Sequence, residues 1–201
     1  MAGTIITLAQ QKGGAGKSTV IAQLAHAFAA RGVALIDLDP QASLTRWAEA
    51  RGGVTLVKSK DWRAGTDMRE AARGHGVVLV DCPGNADTLL RAAIRESDLV
   101  ILPVQPSPPD LWASAPVLEM AAREKTPAAV LLNRVPPRVP ELPEGFPPAP
   151  ATLLTARFGN RIAFSRAFGE GRAAAEIDPR GKAATEAAAL AAEVAEIARL
   201  R

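Results

Sequence analysis

The residues from Gln10 to Thr19 have the types and spacing needed to hold a phosphate group. They follow the apolar run 4–9 and include Gly16-Lys17-Ser18. Glycines let consecutive backbone N–H groups curl around a phosphate without obstruction by a Cβ atom, and a helix starting at this point adds its positive end. Lys17 is predicted to reach the β- and γ-phosphates of a nucleotide, and the Ser18 hydroxyl to ligate Mg²⁺.

This loop departs from the usual signature, G-x-x-x-x-G-K-[ST], at one position. The signature requires glycine at position 11, where this chain has Gln11, and a second lysine, Lys12, stands beside it. The segment predicted to bind nucleotide is Lys12, Gly13, Gly14, Ala15, Gly16, Lys17, Ser18 and Thr19.

Three carboxylates come at the ends of apolar runs that are predicted to be strands. Asp81 follows four apolar residues, and Asp37 and Asp39 close another run before Pro40. Ligands of open α/β sheets bind at the carboxyl ends of strands, so we expect Asp81 to hold Mg²⁺ directly or through water. Asp37 shares a side of its strand with Asp39 and is expected to support the magnesium shell. Capping of the following helix is the alternative for either residue.

The elements that must position these residues alternate along the chain. Apolar, β-branched runs predict strands at 4–9, 33–38, 54–58, 76–81, 98–104, 127–132 and 151–155. Alanine- and leucine-rich stretches predict helices at 17–31, 41–51, 66–73, 85–96, 109–124, 161–170 and 181–200. The near-continuous apolar strands are typical of a parallel sheet covered on both faces. We therefore predict an α/β fold, with a doubly wound, mostly parallel sheet flanked by helices, as a single domain over 1–201.

Composition excludes several other classes of protein. The single cysteine, Cys82, excludes an internal disulfide and an all-cysteine metal site. No apolar run reaches the roughly 18 residues of a membrane span, and no signal-like segment precedes the first strand, so we expect a cytoplasmic protein. Prolines occupy seven of the fifteen positions in 136–150. This stretch is predicted to be an extended surface loop, either a rigid connector or a partner-binding segment.

The run Lys12 to Ser18 resembles the deviant Walker A motif of the ParA/MinD family of ATPases. The likeness covers nearly the whole chain and is greatest to small ParA proteins of the ParF kind. The other matching segments are 37–43 (switch I), 78–84 (Walker B and switch II), 103–110, 131–134 and 161–182. The resemblance implies a P-loop NTPase that uses ATP and Mg²⁺ and hydrolyses ATP slowly without a partner protein.

Individual roles are implied by the same resemblance. Lys12 is expected to reach across an ATP-dependent homodimer to the phosphates bound by the partner chain, and to act in catalysis together with Lys17. Asp39 is expected to orient the attacking water. Asn133 is expected to read the adenine, with formation of a turn as the alternative.

The resemblance also implies a biological role. An ATP-bound dimer would bind DNA of the nucleoid non-specifically, and a ParB-like or cargo adaptor protein would stimulate hydrolysis. The cycle would segregate or position a plasmid, a chromosome region or a protein cargo. Residues 157–182 carry six basic and three acidic side chains, and the predicted DNA contacts are Arg161, Arg180 and Lys182. A solvated surface is the alternative for this segment.

Two other functions remain open for a chain with this resemblance. A MinD-like membrane-cycling ATPase would need a C-terminal helix with bulky apolar residues on one face. The tail 187–201 is mostly alanine, with Leu190, Val194, Ile197 and Leu200 at core-facing spacing, which predicts a docked helix and no membrane contact. A metabolic ATP-dependent enzyme of the same fold is the other alternative, although no small-substrate constellation is evident.

Overall fold

Parallel strands form one sheet in the computed structural model, which describes residues 2–84, 87–138 and 141–200. The strands are β1 (Thr4–Leu8), β2 (Val33–Asp37), β3 (Thr55–Val57), β4 (Val77–Asp81), β5 (Leu99–Val104), β6 (Ala128–Val135) and β7 (Thr152–Gly159). Their order across the sheet is β3-β2-β4-β1-β5-β6-β7, and every pairing is parallel. The chain therefore winds outward from β1 in both directions, as a doubly wound fold requires.

Helices cover both faces of this sheet. They are α1 (Lys17–Ala27), α2 (Ser43–Arg51), α3 (Ala64–Gly74), α4 (Asp87–Arg95), α5 (Pro108–Glu124), α6 (Ile162–Gly169), α7 (Ala174–Ile177) and α8 (Lys182–Ile197), with single 3₁₀ turns at Ala29–Arg31 and Asp61–Arg63. The alternation of strand side chains separates two apolar cores. Ile6 faces the core shared with α1, α2, α6 and α8, and Ile5 faces the core shared with α3, α4 and α5.

The predicted fold class is confirmed, and the differences are one additional short helix and shifted ends of other elements. The helix predicted at 17–31 ends at Ala27, and α7 has no counterpart in the prediction. Strands β6 and β7 run three and four residues beyond their predicted ends at 132 and 155. Asn133 consequently lies inside a strand and not after one. Positions 85 and 86, at the start of the helix predicted at 85–96, lie outside the described residues.

The proline-rich stretch connects β6 to β7. Residues 139 and 140 lie outside the described part of the chain. In the rest of the loop, Leu142 and Phe146 are half-buried and pack against the core on the side of α3, α4 and α5. These apolar contacts hold the loop against the domain, which supports the prediction of a rigid connector.

Helix α8 covers the strand at one edge of the sheet. The backbone N–H groups of Thr155 and Ala156 donate to Glu193 at 2.8 Å each, and that of Gly159 donates to Glu186 at 3.0 Å. The apolar side of α8 is buried through Leu190 and Val194, and Ile197 and Leu200 pack against the same core. The predicted docked tail is therefore confirmed. No helix in the described part of the chain is long and apolar enough to cross a membrane.

Candidate active site

The loop between β1 and α1 forms the floor of a cavity of about 490 Å³. The cavity is lined by residues 13–19 of this loop and by Asp39, Pro40 and Gln41 from the loop after β2. Gly14 and Gly16 have φ values of 74° and 95°, a backbone conformation that glycine adopts at little cost. Helix α1 begins directly after Gly16, so the free N–H groups of its first turn are available to an anion. The loop has the form of a phosphate cradle.

Lys17 is a buried cation at the base of this cradle. Its side chain has 7% relative exposure, and its Nζ atom lies 3.4 Å from the carbonyl oxygen of Gln10. A buried ammonium group is costly unless an opposite charge or several hydrogen bonds stabilise it. The long contact with Gln10 compensates little, and the only opposing charge in the cited contacts is the nearby Asp81. The position of Lys17 therefore favours an anionic ligand.

Ser18 and Asp81 place two oxygen ligands side by side. The Ser18 hydroxyl donates to Asp81 Oδ2, while Asp81 Oδ1 is buried and has no hydrogen-bond partner among the described residues. Burial raises the pKa of Asp81 to about 7, with a smaller contribution from the charges of Asp37 and Asp39, against the opposing effects of Ser18 and Lys17. A hard divalent cation prefers such oxygen donors and would satisfy the unpaired oxygen. The residues present therefore fit Mg²⁺.

Asp37, predicted to support the magnesium shell, accepts hydrogen bonds from the protein on both carboxylate oxygens. Its Oδ1 accepts the Asp39 N–H at 3.1 Å, and its Oδ2 accepts the N–H and the hydroxyl of Thr45 at 2.8 and 2.9 Å. Both oxygens are thus bound within the protein, and the charge lies at the positive end of α2. These contacts favour capping of α2, the alternative for this residue, and the predicted place of Asp37 in the magnesium shell stays a prediction.

Asp39 lies on the wall of the cavity. It is half-buried, and its Oδ1 accepts the Gln41 N–H at 3.0 Å. This contact and the Asp39 N–H bond to Asp37 fix the loop that faces the phosphate cradle. The position is compatible with a water-orienting carboxylate, and that role stays a prediction.

Lys12 makes a contact that the sequence did not predict. Its Nζ atom lies 2.7 Å from Oδ2 of Asp110, which is 2% exposed and also accepts the Ser107 hydroxyl at 2.5 Å. The other oxygen, Oδ1, is buried without a partner in the described residues. Lys12 is therefore bound to the first turn of α5 in its own chain. The only sequence signal was a serine three residues before an aspartate at a helix start.

Asn133 supports the phosphate cradle from β6. Its Nδ2 donates to the Ala15 carbonyl at 2.6 Å, and its Oδ1 accepts the Arg134 N–H at 2.9 Å. Asn133 also lines a second cavity of about 180 Å³, which shares Gly16 and Thr19 with the cavity above the phosphate cradle. Recognition of adenine by Asn133 stays a prediction, and its contacts give the residue a structural role as well.

The three predicted DNA contacts are not equivalent. Arg161 is bound to Glu186 through Nε at 2.9 Å and Nη2 at 2.5 Å, and this bonding raises the pKa of the guanidinium. Its charge is thus neutralised, and its side chain lines the second cavity. This pairing makes Arg161 less available to DNA phosphates than the other two residues, and its DNA contact stays a prediction. Arg180 and Lys182 are exposed and make no ion pair within the described ranges.

Two cavity residues were given no role by the sequence, although both lie in segments that resemble the family. Arg134 lies in β6 at a φ of 51°, where the β6–β7 pairing is irregular, and it lines both cavities. Phe168, in α6, closes the far wall of the larger cavity. Neither position could be recognised from spacing, since both depend on how β6 and α6 pack beside the cradle.

The site consists of a strand, a glycine loop and a helix on a parallel sheet, with a hydroxyl–carboxylate pair beside them. These features define a P-loop nucleotide-binding protein. A family model of the CobQ/CobB/MinD/ParA nucleotide binding domain matches residues 6–146. The chain belongs to this family, as its resemblance to ParA and MinD ATPases predicts.

Two curated relatives match along at least nine-tenths of the chain. The maintenance of carboxysome distribution protein A of Halothiobacillus neapolitanus is 31% identical over 90% of this chain and 91% of the relative. The protein of the same name from Gloeobacter kilaueensis is 37% identical over 96% and 92%. The septum site-determining protein MinD of Pyrococcus horikoshii, solved with Mg-ADP, has a TM-score of 0.75 at 20% identity and covers 97% of both chains. This last likeness shows the fold.

Proposed function

We propose that this chain is a positioning ATPase that binds Mg-ATP, dimerises around it, and binds DNA non-specifically in the dimeric state. The observation that carries the proposal is the unpaired Asp81 Oδ1 beside the Ser18 hydroxyl and the buried Lys17, at the floor of a cavity large enough for a triphosphate. The MinD structure, which has the same fold, contains Mg-ADP, and this supports the binding of a magnesium–nucleotide complex here.

The residues of this chain divide the work of hydrolysis. The N–H groups of the cradle and Lys17 hold the β- and γ-phosphates, and Ser18 and Asp81 hold the metal. Bound Mg²⁺ neutralises charge on the phosphates. Asp39 orients the attacking water; as a carboxylate it acts through position and charge more than as a strong base. Lys12 leaves Asp110 and reaches the phosphates of the partner chain, where a second ammonium stabilises the charge of the transition state.

The second cavity is the proposed site of the base. Its described lining residues include Asn133, Asn160, Thr19 and Ser165 and no aspartate or glutamate. A carboxylate is the natural acceptor for the two adjacent donors on guanine, whereas amides and hydroxyls can serve the donor and acceptor of adenine. This lining supports ATP over GTP as the substrate.

The names of the relatives point to a cargo. Two proteins that match at least nine-tenths of this chain are named for carboxysome distribution. We therefore propose that the cargo is a large intracellular body, a protein compartment or a plasmid, and that an adaptor on this cargo stimulates hydrolysis. The exposed Arg180 and Lys182 of each subunit contact DNA phosphates, and a dimer doubles their number, which ties DNA binding to ATP.

Lys12→Ala tests this cycle. We expect the variant to bind ATP within about threefold of the unaltered chain, because the cradle is intact, but to lose ATP-dependent dimerisation and DNA co-sedimentation at low salt. Lys60→Ala, an exposed lysine elsewhere, is the control and should behave like the original. ATP-dependent DNA binding that survives in Lys12→Ala would contradict the proposal. Pelleting with liposomes tests the membrane-cycling alternative in the same samples.

A further inference from the structure

Phe168 joins the proposed ATP cavity to a neighbouring helix. It is half-buried and lines the cavity together with Gln41 and Ser43. Its ring stacks on that of Trp47 in α2, with ring centroids 6.4 Å apart and planes inclined by 20°. Trp47 is 1% exposed. Phe168, which forms part of the cavity wall, is thus in direct contact with the buried side chain of Trp47 in α2.

Helix α2 is in turn bound to the segment that follows α6. The indole N–H of Trp47 donates to the Arg172 carbonyl at 3.2 Å. Arg51, whose guanidinium lies 5.2 Å from the centre of the Trp47 ring, makes two bonds to Glu176, at 2.7 and 3.2 Å. Hydrogen bonds from Arg51 and from the Ala173 N–H hold the pKa of Glu176 below its ordinary value although burial opposes this.

A close backbone contact also joins α2 to the segment that follows α6. Gly171 has a φ of 68°, and a Cβ atom at this position would lie 2.7 Å from the backbone between Ala50 and Arg51. Only glycine permits the segment to approach the last turn of α2 this closely. The residues from Phe168 to Glu176 and helix α2 therefore form one packed unit.

The other end of α2 is fixed to the nucleotide loop. Asp37 holds the first turn through Thr45, and the loop of Asp39 to Gln41 leads directly into the helix. A helix of nine residues is a rigid rod of about 13 Å. A shift of α2 as one body with the nucleotide loop would therefore also shift the residues bound to its other end, and these lead within a few positions to the exposed Arg180 and Lys182.

We infer that Phe168, Trp47, Arg51 and Glu176 are positioning residues that couple occupancy of the ATP cavity to the cationic surface of Arg180 and Lys182. The inference rests on the proposed function and adds the route by which ATP controls DNA affinity. Helix α2 is the moving element, and ATP and DNA favour the same placement of it. By linkage, DNA then increases the affinity for ATP by the same factor.

Two substitutions test the route. Trp47→Phe keeps a ring against Phe168 but removes the bond to Arg172, and Glu176→Gln weakens the bond to Arg51 without creating a cavity. The measured quantity is the ratio of DNA dissociation constants with ADP and with a non-hydrolysed ATP analogue. We expect each variant to reduce this ratio at least about fivefold, within the usual range of coupling between sites, while affinity for the analogue alone changes less than about threefold.

The double variant and two controls separate this route from loss of structure. If Trp47 and Glu176 act in series, the double variant should reduce the ratio no further than the more damaging single variant does. The matched controls lie on α5, outside the route: Trp112→Phe, an exposed tryptophan, and Glu119→Gln, which is paired with Arg123. Both should keep the original ratio, and thermal unfolding verifies that all variants are folded.

The outcomes distinguish the inference from the function on which it rests. A ratio that stays within about twofold of the original in both folded single variants overturns the inference and leaves the proposed function intact. Equal losses of analogue affinity and DNA affinity would assign the residues to general stability and also overturn it. An unaltered chain whose DNA binding ignores the nucleotide would remove the proposed function itself.

Discussion

The carboxyl ends of β2 and β4 carry the same residue in the same place, with opposite outcomes. Asp37 and Asp81 are directly paired in the register of the sheet. Asp37 accepts hydrogen bonds from Asp39 and Thr45 on both of its oxygens, whereas Asp81 keeps one buried oxygen without a partner in the described residues. The difference comes from the course of the chain beyond each strand. The chain after β2 returns as a helix whose first turn reaches Asp37, and the chain after β4 leaves through Pro83 and Gly84. A helix cap and a candidate metal ligand thus occupy equivalent positions at the ends of neighbouring strands.

The largest expected effect lies in the chemistry of Asp81. Asp81→Asn should lower the rate of ATP hydrolysis at least about 100-fold, because a neutral amide holds Mg²⁺ poorly and metal stabilisation of the transition state is worth several kcal/mol. Release of phosphate from ATP measures it. Asp37→Asn, the matched substitution at the neighbouring strand, should stay within about tenfold of the original rate. Equal losses in the two variants would erase the distinction between them.

The pH dependence of stability sharpens the same contrast. The folded-state pKa of Asp81, about 7, lies above its ordinary value of 3.8, so the folded chain binds the proton more tightly than the unfolded chain. The stability that this tighter proton binding gives to the folded chain is fully present below about pH 4. It is lost as the pH rises through 7, which lowers the free energy of unfolding by up to about 4 kcal/mol. Urea unfolding in chelator at pH 5 and pH 8 measures it. Relative to Asp81→Asn, the original chain should lose stability over this interval; parallel profiles would refute the effect.

The smallest effect concerns the cap. Asp37→Ala removes three accepted hydrogen bonds at the start of α2 and should lower the free energy of unfolding by about 2 kcal/mol. Thr45→Val removes only the hydroxyl bond and should lower it by about 1 kcal/mol. Thr185→Val, on the exposed side of α8, is the control, since its hydroxyl makes only a 3.3 Å bond to the Gly181 carbonyl. Chemical denaturation measures the loss in free energy of unfolding for each of the three variants. If Thr185→Val lost as much as Thr45→Val, the hydroxyl bond to Asp37 would have no special role in capping α2.

The fold could be predicted because its signals are local. Uninterrupted apolar runs such as Val77 to Val80 are confirmed as buried parallel strands, and the glycine loop follows β1 and opens α1 as its residues indicate. Strand ends were less predictable. Arg134 and Arg157 are polar residues that β6 and β7 nevertheless include, because pairing between the two strands continues past the apolar run.

Side-chain roles in the site could not be predicted where they depend on a distant partner. Asp110 is 98 positions from Lys12, Glu186 is 25 positions from Arg161, and Asn133 is 118 positions from Ala15. Residue type restricts such partners to opposite charges or to amides and carbonyls, but packing decides which of them meet. Asp37 shows the same limit over a short distance, since its partner Thr45 becomes available only when α2 turns back onto the strand.

The contacts of α8 with β7 have a consequence for assembly. An uncovered edge strand offers backbone donors that can pair with another copy and lead to stacked sheets. Here Glu186 and Glu193 accept three of those donors, and at the opposite edge β3 is only three residues long. Neither border of the sheet is therefore a ready template for a further strand. Copies of this chain can be crowded together on a shared surface without their sheets fusing into a fibre.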